Sequence, residues 1–184
     1  MGPAKPGKSG YFYQAPTGAP MRRRSVPLML MLMLLSMLAA PLAQAVDLVR
    51  VVKSERQLYL LENGTVVGQY PVALGRQPRG HKQREGDLRT PEGRYVLDKK
   101  NAESAFYRSI RISYPNDDDR ARAAALGVPP GGGIMLHGQK NGFGEYAAYA
   151  QRFDWTEGCI ALTDADMDAL WARVAVGTPI EIVP

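Results

Sequence analysis

One two-residue turn constrains the fold of this chain more than any other feature of its sequence. Asn63-Gly64 lies between two apolar segments, QLYLL (57–61) and TVVGQYPVAL (65–74). Asn-Gly between two such segments is a strong signal for a tight β-hairpin. Side chains alternate between the two faces of a strand, so one face of the hairpin should enter the core. The residues predicted on that face are Leu58, Leu60 and Val66.

Short apolar segments continue along the chain and predict about eight strands in all. The other six segments are 46–52, 94–97, 110–113, 134–137, 160–162 and 180–183. Two helices are predicted: 117–126, which starts with three aspartates, and a C-terminal helix capped by Thr163. The segment 139–154 is a loop or a third short helix. Strands do not alternate regularly with helices, which predicts a mainly β, sandwich or barrel-like domain rather than a doubly wound sheet.

The first 45 residues have a different pattern. Basic residues at 22–24 precede an apolar run at 28–38, and Ala43-Gln44-Ala45 ends the segment with small residues. This arrangement predicts a secretory signal peptide that is cleaved after Ala45. The alternative is a retained membrane anchor, but spanning a bilayer takes roughly 20 apolar residues, and the run is shorter. The start codon is left open between Met1 and Met21.

The positive charge of the chain belongs to this leader. The whole chain has 23 Lys and Arg against 18 Asp and Glu. The basic residues that precede Val46 are Lys5, Lys8, Arg22, Arg23 and Arg24. The remaining part is therefore neutral, with no basic stripe of the kind that binds nucleic acid.

Cys159 is the only cysteine in the chain. A single cysteine cannot form an intramolecular disulfide, so in an exported protein it indicates an intermolecular bond or a free reactive thiol. It follows Gly158, which leaves room beside the sulfur, and backbone N–H groups in such a turn can stabilise an oxyanion. The alternative is a small buried apolar side chain, the usual role of a free cysteine.

The chain has two histidines, and they differ in setting. His137 ends an apolar strand and precedes Gly138, which makes it the candidate base for a cysteine nucleophile. His81 lies in the long polar loop 75–93 among Lys and Arg, a setting typical of a solvated histidine. Two histidines and one cysteine without paired ligand spacing make a poor zinc set, so no metal or other cofactor is expected.

These segments together resemble the catalytic domain of the L,D-transpeptidase (YkuD) family. The resemblance rests on IMLHG (134–138) followed about twenty residues later by TEGCIAL (156–162). It extends to VRVVKSERQLYLL near the start, VALG, TPEG and the final GTPI strand, and so covers the whole of 46–184. It implies a catalytic domain over those residues, behind an N-terminal extension and signal peptide at 1–45.

The resemblance implies thioester chemistry on a diaminopimelate carbonyl of peptidoglycan stem peptides. Cys159 would be the nucleophile, His137 the proton donor and acceptor, and the backbone N–H groups of Gly158 and Cys159 the oxyanion donors. Residues expected to contact substrate are Gly138, Thr156, Glu157, Arg89 and Tyr114. The segment 139–155 is a candidate lid, with aromatic residues Phe143, Tyr146, Tyr149, Phe153 and Trp155.

Two positions depart from the family pattern: Glu157 stands where most members have histidine, and Ala161 where many have arginine. The motifs are more similar to a Gram-negative periplasmic subgroup, which includes an amidase that releases an outer-membrane lipoprotein from peptidoglycan. The expected location is therefore the periplasm, with stem peptides as partners and that lipoprotein as a further candidate. The acceptor is left open: an amine gives transpeptidation, and water gives carboxypeptidase or amidase activity. A cell-wall-binding module without catalysis is the non-enzyme alternative.

Overall fold

The computed structural model describes residues 46–184, together with 1–4, 7, 10 and 12. The predicted signal sequence at 21–45 and its cleavage site lie outside the described residues. Internal contacts divide the chain into two units, Met1–Leu42 and Ala43–Pro184, and every element given below belongs to the second unit. Among the described helices, none has the length and apolar character needed to cross a bilayer.

Residues 46–184 form eight strands and a few short helices. The strands are β1 Leu48–Val52, β2 Gln57–Glu62, β3 Thr65–Pro71, β4 Gly93–Ser104, β5 Tyr107–Ile112, β6 Met135–His137, β7 Ile160–Ala161 and β8 Pro179–Val183. The helices are α1 Asp117–Ala125, a 3₁₀ turn Gly144–Tyr146, α2 Ala147–Ala150 and α3 Asp164–Arg173. All eight strands belong to one sheet in the order β3-β2-β1-β8-β4-β5-β6-β7.

The sheet is mixed and its two ends meet. The pairs β1–β8 and β6–β7 are parallel, whereas the other neighbours are antiparallel. Just beyond β3, Ala73 exchanges two backbone hydrogen bonds with Ala161 of β7, over 2.9 and 2.8 Å. These bonds join the first strand of the order to the last. The predicted mainly β, barrel-like fold is therefore confirmed.

The hairpin at the start has the predicted turn and one displaced side chain. Asn63 and Gly64 have φ values of 50° and 77°, the positive values that a two-residue type I′ turn requires at both positions. Leu58 and Leu60 are fully buried, as predicted, but Val66 is 52% exposed. The two-residue turn pairs Glu62 with Thr65 and Leu61 with Val66. Directly opposite residues share a face of the sheet, so Val66 lies on the face opposite Leu60 and its predicted core position is wrong.

The core lies inside the closed sheet and beneath α3. Helix α3 is capped as predicted, because Thr163 Oγ1 accepts the Asp166 N–H over 3.1 Å. Its apolar stripe buries Met167 and Leu170 against strand side chains. Fully burying such a side chain typically contributes about 1.5–3 kcal/mol. The packed core thereby fixes the backbone of β6, which carries His137, and that of β7, which precedes α3.

The hairpin of β4 and β5 is longer than predicted. The apolar pattern predicts strands at 94–97 and 110–113, but β4 runs on to Ser104 and β5 begins at Tyr107. The added residues of β4 are mostly exposed and polar, so they lack the alternation that predicts a strand. This extension carries the turn with Ala105 and Phe106 to the mouth of a cleft.

Candidate active site

Strands β6 and β7 bring the two candidate catalytic residues together. The strands are parallel, with Leu136 opposite Ile160 and His137 opposite Ala161. Cys159 immediately precedes β7, so the strand that follows it lies beside the strand that ends at His137. Both residues line one cleft of about 660 Å³. Cys159 and His137 thus share one cleft, and their catalytic pairing stays a prediction.

His137 is buried, with 5% of its surface exposed, and its ring is fixed by one short hydrogen bond. Nδ1 lies 2.7 Å from the Gly138 carbonyl oxygen. A carbonyl can only accept, so Nδ1 carries the hydrogen and Nε2 of the neutral ring is free to take a proton. Burial lowers the pKa of His137, because the charged imidazolium loses its hydration.

Two aromatic rings enclose the imidazole. The ring centroids of His137 and Phe106 are 4.8 Å apart, and those of His137 and Trp155 are 5.7 Å apart in an edge-on arrangement. Phe106 and Trp155 also stack on each other at 6.2 Å. These rings exclude water from much of the imidazole. Phe106 was not predicted, since it lies in a polar hairpin without an apolar period.

The Cys159 thiol is a partly buried group. Its Sγ donates to the Gly133 carbonyl oxygen over 3.5 Å. Burial raises the pKa of Cys159, because the thiolate is the charged form. With the thiol pKa raised and the imidazole pKa lowered, the resting pair is a neutral thiol and a neutral imidazole. In such a pair the thiol proton can move to the imidazole as the sulfur attacks, without a thiolate forming beforehand.

The turn before Cys159 depends on glycine and threonine. Gly158 has a φ of 130°, and a Cβ there would lie 2.7 Å from the Arg89 carbonyl oxygen, so no other residue fits. The Gly158 N–H donates to Thr156 Oγ1 over 3.1 Å, and the same hydroxyl donates to the Cys159 carbonyl over 2.7 Å. The Gly158 N–H, predicted as an oxyanion donor, is therefore already engaged.

The neighbouring N–H has no such partner. Among the turn and loop backbone hydrogen bonds of residues 46–184, none uses the N–H of Cys159. This makes Cys159 N–H the better candidate for the oxyanion donor.

Gly138 and Thr156 act on the backbone around the two candidate catalytic residues. A Cβ at Gly138 would lie 2.6 Å from Asp164 Oδ1 and 2.9 Å from Tyr107 Cβ. Its N–H donates to the Phe106 carbonyl over 3.1 Å, and its carbonyl holds the His137 ring. Gly138 is not among the residues that line the cleft, whereas Thr156 is. Gly138 therefore positions His137 instead of contacting a ligand.

Glu157 lines the cleft, as predicted, and has a partner that sequence patterns did not reveal. Its Oε1 lies 2.9 Å from Nη2 of Arg76, which lines the same cleft. Arg76 is one of several arginines in the polar loop 75–93. Only the folded register, in which Gly75 bridges to Thr156, distinguishes it from the others.

The two remaining predicted substrate contacts lie elsewhere. Tyr114 is 6% exposed, its hydroxyl donates to the Pro130 carbonyl over 2.9 Å, and its ring packs on Tyr95. It is a core residue, so its predicted substrate contact is wrong. The Arg89 side chain lines a different cleft, of about 560 Å³, while its backbone oxygen abuts Gly158.

His81 is a structural residue rather than the solvated one expected. Its Nδ1 accepts the Glu92 N–H over 3.0 Å, and Nε2 lies 3.0 Å from Asp119 Oδ1. The carboxylate of Asp119 also caps helix α1 through Asn116. His81 therefore ties the polar loop to the helix. Among the described residues, no group of three or more metal-binding side chains is close enough to hold an ion.

The candidate lid contains the 3₁₀ turn and α2. Of its five aromatic residues, Trp155 lines the cleft beside His137. The other four are more than half exposed: Phe143, Tyr146, Tyr149 and Phe153. The lid function stays a prediction.

Both the sequence and the fold of this chain are similar to those of known proteins. The L,D-transpeptidase catalytic domain (YkuD) family matches residues 47–182. "Putative L,D-transpeptidase YafK" of Escherichia coli (strain K12) is 31% identical over 112 residues, which cover 58% of this chain and 44% of that protein. The chain thus spans less than half the length of this curated relative.

Two solved structures share the fold. A mutant of the helical cell shape determining protein Pgp2 from Campylobacter jejuni superposes with a TM-score of 0.57 at 26% identity, over 76% of this chain and 47% of that one. An L,D-transpeptidase from Xylanimonas cellulosilytica does so with a TM-score of 0.50 at 17% identity, over 77% of this chain and 62% of that one. With the family match extending over most of its length, this chain belongs to the L,D-transpeptidase catalytic domain (YkuD) family.

Proposed function

We propose that this chain is a cysteine-dependent L,D-transpeptidase that acts on the diaminopimelate carbonyl of peptidoglycan stem peptides. The observation that carries the proposal is that His137, at the end of β6, and Cys159, just before the adjacent parallel strand β7, line one cleft. A cysteine with a histidine base is the usual arrangement for covalent acyl transfer. Family membership supports peptidoglycan as the substrate class.

The first half-reaction forms a thioester. Nε2 of His137 takes the thiol proton as Cys159 Sγ attacks the carbonyl carbon, since Nδ1 is already bonded to Gly138. The Cys159 N–H stabilises the oxyanion, and one such donor is typically worth about 3 kcal/mol in the transition state. The C–N bond then breaks, the imidazolium gives its proton to the leaving amine, and the acyl group stays on sulfur.

The second half-reaction decides the product. An acceptor amine attacks the thioester, His137 takes a proton from that amine, and the thiol is regenerated with a new amide bond. The cleft supports a peptide ligand, because it combines the apolar surface of Phe106 and Trp155 with polar walls from Asn101 and Ser109. Water in place of the amine would give hydrolysis at the same carbonyl, including release of a peptidoglycan-linked lipoprotein.

The location proposed for this activity is the periplasm. The basic segment, the apolar run and the small residues before Val46 support export through a cleaved signal. The substrate also lies outside the cytoplasmic membrane, and one structural relative is named a cell shape determining protein. Edman sequencing or mass spectrometry of the protein from a periplasmic extract should give Val46 as the first residue.

The deciding experiment is mass spectrometry of muropeptides incubated with the purified chain. New cross-links between two diaminopimelate residues are expected, with a thioester-linked acyl group trapped on Cys159. Cys159→Ala should form neither product. Trimmed peptides or released lipoprotein without cross-links would identify a hydrolase. Binding of muropeptides without any turnover would overturn the enzyme proposal in favour of a wall-binding module.

A further inference from the structure

The candidate active-site cleft has an uneven charge distribution. Of its lining residues, only Arg76 and Glu157 carry formal charges at neutral pH. The other lining residues are neutral in their resting forms: Asn101, Ser104, Ala105, Phe106, Ser109, Gly133, Met135, His137, Trp155, Thr156 and Cys159. Any charged group of a ligand in this cleft therefore meets this single pair.

The pair is fixed close to the nucleophile. Glu157 is two residues before Cys159, and the Arg76 N–H donates to the Thr156 carbonyl over 3.0 Å. The backbones of both residues are therefore tied to the turn that carries the sulfur. Nη2 of Arg76 lies 2.9 Å from Oε1 of Glu157, with 52% and 81% of the side chains exposed. Their charged ends are thus open to a ligand.

An exposed pair of this kind contributes little to folding, so a ligand can open it at small cost. A ligand with one charge would satisfy one member and leave the other without its partner. A ligand that bears both an ammonium and a carboxylate on one carbon can satisfy both. Such a centre has two opposite charges about as far apart as those of the pair, so the ion pair would be exchanged for two new ones.

We propose that Arg76 and Glu157 form a receptor for a zwitterionic amino-acid centre on the ligand, with Arg76 binding the carboxylate and Glu157 the ammonium. The proposal rests on the proposed function, because it specifies which stem peptides the same cleft accepts. Diaminopimelate carries such a centre at the end of its side chain, whereas lysine has only the ammonium. The family pattern, with histidine in place of Glu157, lacks this carboxylate.

The test is equilibrium binding, measured by calorimetry with the Cys159→Ala chain so that chemistry plays no part. Three tripeptides are compared, which differ only in the third residue: diaminopimelate, diaminopimelate amidated at its distal carboxyl, and lysine. The diaminopimelate peptide should bind at least tenfold more tightly than either of the others. Adding Arg76→Gln should bring the free and amidated peptides within about twofold of each other.

A second arm tests the carboxylate. With Glu157→Gln, the diaminopimelate peptide should bind no more tightly than its distal N-acetyl derivative, although the parent chain discriminates between them. The matched control is Arg111→Gln, because Arg111 is about as exposed as Arg76 and pairs with Asp98 outside the cleft. This control should keep the full discrimination.

Two results would overturn the inference: equal affinity of the three peptides for the parent chain, or discrimination that survives both Arg76→Gln and Glu157→Gln. The proposed function is judged separately by acylation of the wild-type Cys159 with a small uncharged thioester. Acylation with no charge discrimination in binding refutes the receptor alone. Charge discrimination without acylation refutes the enzyme alone.

Discussion

The Thr156 hydroxyl donates to the carbonyl oxygen of Cys159 over 2.7 Å and accepts the Gly158 N–H over 3.1 Å. One side chain thus closes the turn on which the sulfur is carried. Removing it leaves two buried backbone groups without partners, each at a cost of about 1–3 kcal/mol. It also loosens the direction in which Cys159 Sγ points.

We therefore expect Thr156→Val to lower kcat/KM by about 10–100-fold, since misplacing a reacting group by an ångström can cost that much. Thr156→Ser keeps the hydroxyl and should stay within about threefold of wild type. The measurement is thioester hydrolysis or transfer, together with urea unfolding of each variant. Full activity in Thr156→Val would show that the turn does not need this hydroxyl.

The pH dependence of Cys159 alkylation should reflect its surroundings. Burial raises the thiol pKa, so the iodoacetamide reaction rate should rise with pH to a midpoint above that of an ordinary cysteine, about 8.5. The Glu157 carboxylate disfavours the thiolate. Glu157→Gln should therefore lower the thiol pKa and speed alkylation at neutral pH. Glu55→Gln, far from the cleft at the β1–β2 turn, should leave the profile unchanged.

Removing an aromatic ring that covers His137 should change the pKa of its imidazole. Burial lowers its pKa, and Phe106 covers one side of the ring at 4.8 Å. Phe106→Ala admits water, so the pKa of His137 should rise toward the usual value, and the acid limb of activity should move to higher pH. An NMR titration of the imidazole C–H signals measures this. Phe153→Ala, at an exposed ring, is the control, and equal titration of both variants would contradict the argument.

The substitution Tyr114→Phe tests whether Tyr114 stabilises the core or contacts a ligand. The change removes only the hydroxyl that donates to the Pro130 carbonyl over 2.9 Å. The free energy of unfolding should fall by about 1 kcal/mol, while KM and kcat stay within about twofold of wild type. Thermal unfolding and steady-state kinetics check the two parts. A tenfold rise in KM would restore Tyr114 as a substrate contact.

Short sequence motifs predicted the parts of the fold that depend on interactions between adjacent residues. The Asn63-Gly64 turn and the Thr163 cap depend on the conformations and hydrogen bonds of a few adjacent residues, and both were predicted correctly. Val66 was misplaced because the face that a hairpin side chain occupies depends on its partner on the other strand, which here is Leu61. The same reason applies to the length of β4, whose polar residues form a strand only because β5 is alongside.

The candidate site was predictable in part. A single cysteine after glycine and a histidine before glycine pointed to Cys159 and His137, which line one cleft, and their catalytic roles stay predictions. Arg76 and Phe106 were missed, since an arginine in a charged loop and a phenylalanine in a polar hairpin look ordinary until the chain is folded. Both N–H groups of the Gly158-Cys159 turn were expected to hold an oxyanion, and only the folded turn reveals that the Gly158 N–H is already bonded to Thr156.

The seam between Ala73 and Ala161 has a consequence for when the thiol becomes competent. It joins parts of the chain about 90 residues apart, and contacts of such long range are slow to form. Ala161 bonds to this seam on one side and pairs with His137 on the other. A chain whose seam is still open therefore lacks one of the two contacts that hold Ala161, and with it the strand after Cys159, in place. The proposed acyl transfer thus requires the closed barrel, because only there do the sulfur and the imidazole have a fixed relative position.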